Sequence, residues 1–143
     1  MESNLEFVSD LRTVVGRLIK KLRKESSTGQ QLSMTERSTL SLLYQYQTML
    51  PSELAAMEKI TNQSMSEILR HLSELGYIIR TASETDKRKV HISLSAEGEK
   101  TLLQVRNERD QWLAKAIAGT CTEEERELLK HAIGTLTKIV EFE

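Results

Sequence analysis

A mainly α-helical chain with one small β-hairpin, an α+β fold, is what the 143-residue sequence predicts. Three observations predict it. Apolar residues recur at spacings of three and four, the period of one helical face. Residues 77–94 instead show β-branched and alternating runs on either side of a polar stretch. One proline and six glycines leave long helices uninterrupted.

The elements follow in order. Leu5, Val8, Leu11, Val15, Leu18 and Leu22 form one face of a helix over 4–25. Lys20, Lys21, Arg23 and Lys24 crowd its last turn, where cations suit the helix dipole. Ser26-Ser27-Thr28-Gly29 ends it. Ser33 and Glu36 form a capping box for the next helix, whose buried face is Leu40, Leu43 and Tyr44. Met49-Leu50-Pro51-Ser52 reads as a turn, followed by a short helix to Glu58. Thr61 caps a helix over 62–75 that Gly76 stops in the left-handed conformation. Tyr77-Ile78-Ile79-Arg80 and Val90-His91-Ile92-Ser93-Leu94 are the hairpin strands, and 81–89 is its basic tip. Ser95 caps a long helix to about Ala118, which Gly119-Thr120-Cys121 breaks. Thr122 and Glu125 form a second capping box, opening a last helix to about Val140. A helix, a short turn, a second helix and then a hairpin is the winged helix-turn-helix arrangement.

Composition narrows the function. No apolar run approaches the ~20 residues that cross a bilayer. Met1-Glu2-Ser3-Asn4 does not open a secretory signal. The lone Cys121 excludes an internal disulfide framework. A cytoplasmic protein with no membrane partner is expected. The net charge of −1 argues against nucleic acid, but its distribution does not. Residues 1–96 carry 13 Lys+Arg against 11 Asp+Glu, and residues 97–143 carry 7 against 10. The acidic excess sits at the C-terminal end and leaves the middle free to meet phosphate.

Ordered motifs carry a family resemblance. Asp86-Lys87-Arg88, Ile92-Ser93-Leu94-Ser95 and Gly98 fit the wing signature of the MarR family, D-x-R-x-x-x-I/V-x-L-S/T-x-x-G. Ser52-Glu53-Leu54-Ala55 resembles the start of that family's third helix. Leu72 through Arg80 resembles that family's L-x-x-x-G-aromatic/L-V/I-x-R ending of the recognition helix. The resemblance covers the whole chain. It implies a DNA-binding lobe at 31–98 and a helical dimerisation region formed by 1–30 and 99–143. One departure stands out: where the family often has Thr-Arg or Ser-Arg in the recognition helix, this chain has Ser66-Glu67.

The candidate site residues lie on the 62–75 helix and the wing. Met65, Leu69, Leu72 and Leu75 form the helix's buried stripe, leaving Asn62, Gln63, Ser64, Ser66, Glu67 and Arg70 for double-stranded DNA. Asn and Gln can pair with adenine, Glu can accept from cytosine, and Arg can hold guanine or phosphate. The competing reading is an ordinary solvated face. At the hairpin tip, Arg88 is suited to a narrow minor groove, with Lys87 and Lys89 beside it for phosphate. The resemblance implies that Asp86 pairs with Arg88 and holds the tip in shape.

The terminal helices carry more apolar surface than one small domain covers, which points to a homodimer. The resemblance implies a repressor of a pseudo-palindromic operator and a small-molecule effector between the dimer helices and the DNA lobe, near Leu18, Leu22, Tyr44 and Met49. Aromatic residues are 4% of the chain, so the sequence does not promise a stacking pocket. His71, His91 and His131 lack metal-site spacing, and no catalytic constellation is evident, so neither an enzyme nor a cofactor is expected. The alternative function is a winged-helix dimerisation module that does not bind DNA.

Overall fold

The computed structural model describes residues 2–143, with side chains from Asn4. Met1, the first residue of the expected N-terminal arm, lies outside the described residues. Helices α1 (Glu2–Glu25), α2 (Met34–Tyr46), α3 (Pro51–Glu58), α4 (Asn62–Glu74), α5 (Ala96–Thr120) and α6 (Glu123–Val140) surround a small sheet. Its strands are β1 (Thr48–Met49), β2 (Ile78–Ala82) and β3 (Val90–Leu94), in antiparallel order β1-β3-β2. Among the described residues no helix is long and apolar enough to cross a membrane.

The helix boundaries follow local chemistry. At α2 the Ser33 hydroxyl accepts from the Glu36 N–H at 3.1 Å, and the Glu36 carboxylate accepts from the Ser33 N–H at 2.8 Å. Thr122 and Glu125 repeat this reciprocal pair at α6. Each pair satisfies N–H groups that a helix start leaves without intrahelical partners. Pro51 occupies the first turn of α3, where its missing N–H costs nothing. Gly76 ends α4 with φ of +80°, a conformation that favours glycine.

Several boundaries differ from the sequence reading, among them the first wing strand, read as 77–80 and observed as Ile78–Ala82. Thr48 and Met49 form β1 rather than leading a turn, and pair with Ser93 and Ile92 of β3. The hairpin is therefore the larger part of a three-stranded sheet. Helix α5 ends within the expected Gly119-Thr120-Cys121 break, running two residues past Ala118 to Thr120 before extended Cys121. A glycine near a helix end costs only about 1 kcal/mol against alanine, too little to stop a helix by itself.

The core joins α2, α3, α4 and the sheet. Leu40, Leu43, Leu54, Met65, Leu69, Leu72 and Ile92 are each at most 1% exposed. Leu102 and Val105 extend buried packing into α5. The α1–α2 connection is tied to α5 by Glu108. Its carboxylate accepts from Ser26 Oγ at 3.3 Å, from Thr28 N at 3.4 Å and from Thr28 Oγ1 at 3.1 Å.

Candidate nucleic-acid interface

Helix α4 has one sealed face and one open face. Met65, Leu69 and Leu72 are buried, and Leu75 packs partly against them. Asn62, Gln63, Ser64, Ser66, Glu67 and Arg70 are all exposed. The Thr61 hydroxyl caps the helix by accepting from Ser64 N at 3.1 Å, and it donates to Ser64 Oγ at 3.0 Å. Ser64 is thus turned back onto the cap. Arg70 pairs with Glu74 one turn on, at 2.9 Å, with both side chains exposed. Such a pair contributes at most about 0.5 kcal/mol and yields readily to a better anion.

Helix α4 is also tied to α2 by a side-chain contact the sequence reading did not anticipate. His71 Nδ1 meets Glu36 Oε2, linking α4 to the first turn of α2. Burial pushes the Glu36 carboxyl up. The Ser33 backbone N–H, the His71 hydrogen bond and charge, and the Ser33 hydroxyl outweigh it and hold Glu36 below its ordinary value. Helical spacing on two separate segments gives no sign of this contact, because it depends on how α2 and α4 cross.

The wing tip is built around Asp86. Its Oδ1 accepts from the Arg88 backbone N–H at 3.0 Å and from Arg88 Nε at 3.3 Å. Ser83 Oγ accepts from the N–H groups of Thr85 and Asp86, and Lys89 N donates to Asp86 O at 3.0 Å. These bonds close the loop while the Arg88 side chain stays 91% exposed. Lys87 and Lys89 are exposed beside it. Ser83 is a further contributor that the D-x-R spacing did not reveal.

The base of the wing explains the rest of the motif. Ser95 Oγ donates to Gly76 O at 2.6 Å, and Ser95 N donates to Tyr77 O at 3.0 Å. Ser95 Oγ also accepts from Gly98 N, capping α5. Gly98 lies so close to the Tyr77 backbone that a Cβ there would stand 2.0 Å from Tyr77 O. Only glycine admits this approach, which locks the start of α5 against the exit from α4.

The four residues expected near an effector do not meet around one cavity. Met49 is buried in the core, 5% exposed. Leu22 lines a cavity between α1, α2 and α5, whereas Tyr44 lines two other depressions and Leu18 stands on the exposed surface of α1. Among the described residues, no three His, Cys, Asp or Glu side chains gather as a metal site.

Comparisons with known proteins agree with this geometry. The family model described as MarR family matches residues 32–90. An HTH-type transcriptional regulator of Mycobacterium bovis is 29% identical over 141 residues, spanning 99% of this chain and 97% of the relative. A crystal structure from Pseudomonas aeruginosa PA01, described as a transcriptional regulator protein, superposes with a TM-score of 0.84 at 32% identity. It covers 100% of this chain and 99% of its own. The fold is also that of a Staphylococcus aureus MepR mutant solved bound to an oligodeoxyribonucleotide, with a TM-score of 0.71 at 20% identity over 94% of this chain and 98% of that one. The chain belongs to the MarR family of winged helix-turn-helix transcriptional regulators.

Proposed function

We propose that this regulator binds a pseudo-palindromic DNA operator as a homodimer in the cytoplasm and represses until a small ligand releases it. One observation carries the reading: α4 exposes Asn62, Gln63, Ser66, Glu67 and Arg70 while its opposite face is sealed in the core. In this reading the lobe 31–98 meets DNA and the arms 1–30 and 99–143 form the dimer. Helix α4 enters the major groove, where Asn62, Gln63 and Glu67 address base edges. Arg70 leaves Glu74 for guanine or phosphate. Arg88 enters the flanking minor groove, preset by Asp86, with Lys87 and Lys89 on phosphates.

The arms supply the two-fold. Among the described residues none of α6 is buried. Leu128, Ile133, Ile139 and Val140 are 58–82% exposed, and α1 adds Leu5, Phe7 and Val8. So much apolar surface on two helices fits a second copy of the chain. A two-fold dimer places its reading helices one DNA turn apart, so the half-site centres lie about 10 base pairs apart.

Selection from a random duplex pool tests the reading. An inverted repeat with that spacing is the expected product, and Glu67→Ala is expected to alter preference at one position per half-site. Affinity must also fall steeply with salt as counterions are released. Glu67 and Glu74 put two carboxylates on the exposed face of α4, which favours the rival reading of a dimerisation module that does not bind DNA. Recovery of no common sequence, with no salt-sensitive affinity for random duplex, would favour that rival.

A further inference from the structure

Helix α4 turns one carboxylate straight away from the core. At about 100° per residue, Gln63, Glu67, Arg70 and Glu74 fall at i, i+4, i+7 and i+11 and form one row along the helix. All four are exposed. The buried stripe of Met65, Leu69 and Leu72 lies on the far side of the cylinder, and Glu67 stands almost diametrically opposite it. Glu67 also keeps its full charge to itself. Arg70, the cation one turn on, bonds Glu74 at 2.9 Å instead. Among the described residues no Lys, Arg or His pairs with Glu67. A side chain at the edge of the exposed face would meet the phosphate walls of a groove, whereas one at its middle meets the floor. Phosphate repels a carboxylate, so the neighbour that suits Glu67 is a donor on a base edge.

We propose that Glu67 determines sequence specificity by reading the exocyclic amine of a cytosine, which makes binding sensitive to methylation of that amine. The inference rests on the DNA-binding reading and names the base. In the major groove only cytosine N4 and adenine N6 offer hydrogens. Adenine sets its N7 acceptor beside N6, and guanine and thymine present acceptors to the groove. A carboxylate accepts and never donates, so N7, O6 and O4 all repel it. Cytosine alone offers an amine with no acceptor on the same base beside it. Gln63, one turn earlier, differs: its amide accepts and donates, which suits N6 and N7 of adenine together.

The chemistry of the amine gives the consequence. Cytosine N4 spends one hydrogen on guanine and turns the other into the groove. A methyl on N4 has to take the groove-facing place if the base pair is to survive. It therefore replaces the hydrogen that Glu67 accepts. A methyl on C5 leaves that hydrogen where it is.

The test joins sequence selection to modified duplexes. The parent, Glu67→Gln and Glu67→Ala each select from a random duplex pool. Glu67 is exposed, so both variants should keep the parent's melting temperature. The parent is expected to recover a C·G pair at one position per half-site, Glu67→Gln to exchange it for an A·T pair, and Glu67→Ala to lose preference there. The parent's operator is then made with N4-methylcytosine or 5-methylcytosine at that position in both half-sites, and affinity is read by fluorescence anisotropy. N4-methylation is expected to weaken the parent by about 10-fold or more and Glu67→Ala by less than about 3-fold. On the parent, 5-methylcytosine should weaken binding less than N4-methylcytosine does. Indifference of the parent to N4-methylation, equal sensitivity of Glu67→Ala, or a Glu67-dependent position that is not C·G would overturn the proposal. So would a Glu67→Ala protein that gains affinity for every sequence alike and keeps the parent's base preference, the result of a carboxylate that only repels phosphate. All of these outcomes leave the DNA-binding reading standing. Recovery of no common sequence by the parent removes that reading and this inference together.

Discussion

The lobe and the arms solve the burial problem in opposite ways. In the lobe, α2, α3, α4 and the sheet seal their apolar faces against one another, and Leu40, Leu54, Met65, Leu72 and Ile92 are fully buried. In the arms, among the described residues, neither α1 nor α6 buries a side chain, although both are strongly amphipathic. The lobe is thus complete within one chain, whereas the arms expose an apolar stripe that one chain does not cover. A residue's exposure therefore has two meanings here. On α4 the exposed side chains Asn62, Gln63, Ser66, Glu67 and Arg70 are polar, whereas α6 exposes apolar Leu128, Ile133, Ile139 and Val140 beside its charged residues.

That contrast can be broken at either end. The largest effect is expected from Leu128→Glu combined with Ile133→Glu. Both residues are exposed, at 68% and 66%, so the folded lobe should hardly notice. Light scattering should return the 16.3 kDa monomer in place of the dimer. Operator affinity should fall by about 100-fold or more, because the two half-sites are no longer linked. A variant that remains dimeric would show that α6 is not the interface.

Gly98→Ala attacks the lobe from within. Its new Cβ meets the Tyr77 carbonyl oxygen, a backbone atom that cannot swing aside. Destabilisation of about 3 kcal/mol or more is expected from this overpacking, read by chemical denaturation. Stability within 1 kcal/mol of the parent, roughly the size of an ordinary surface change, would mean the α4–wing junction is looser than the geometry indicates.

Arg88→Ala sharpens the comparison without touching either core. In the proposed complex it removes one groove contact per half-site, so operator affinity should drop on the order of 10-fold or more, with a shallower salt slope. Asp86→Ala should act in the same direction but more weakly, since it orients Arg88, and Lys87→Ala should also do less than Arg88→Ala. The melting temperature should stay constant for Arg88→Ala. Unchanged affinity in a folded dimer would remove the wing from the interface.

The smallest effect concerns pH. Glu36 has its carboxyl held below the ordinary value in the folded state, so its stabilisation is present above the unfolded value and is lost as pH falls through the folded one. Glu36→Ala should cost about 1 kcal/mol at neutral pH, through the lost cap and the lost His71 contact. Parent and variant should converge in acid, below the ordinary carboxylate range. A constant difference across that range would assign the effect to packing alone.

Local chemistry made much of this molecule legible from sequence. Ser33 and Glu36, Thr61, Ser95, and Thr122 and Glu125 each mark a helix start because the capping bonds join residues three apart. The same locality made Met65, Leu69 and Leu72 readable as one face of α4, whereas the pairing of Asp86 with Arg88 came from the family resemblance. Strand β1 was not legible: two residues are too few to alternate, and Thr48 and Met49 are a strand only because β3 lies beside them. The same holds for Met49, which sequence grouped with an effector site and the fold packs into the core.

By itself, then, the sequence determined the order of the helices and the two hairpin strands, their side-chain caps, the wing motif and the family resemblance. Those depend on bonds within a few residues, whose geometry the backbone supplies. The tertiary structure alone decided that Glu36 meets His71, that Gly98 touches Tyr77, and that Arg23, Arg37 and Arg109 share one cavity. These contacts join residues far apart in the chain, and side-chain periodicity records which face a residue is on but not what that face will meet.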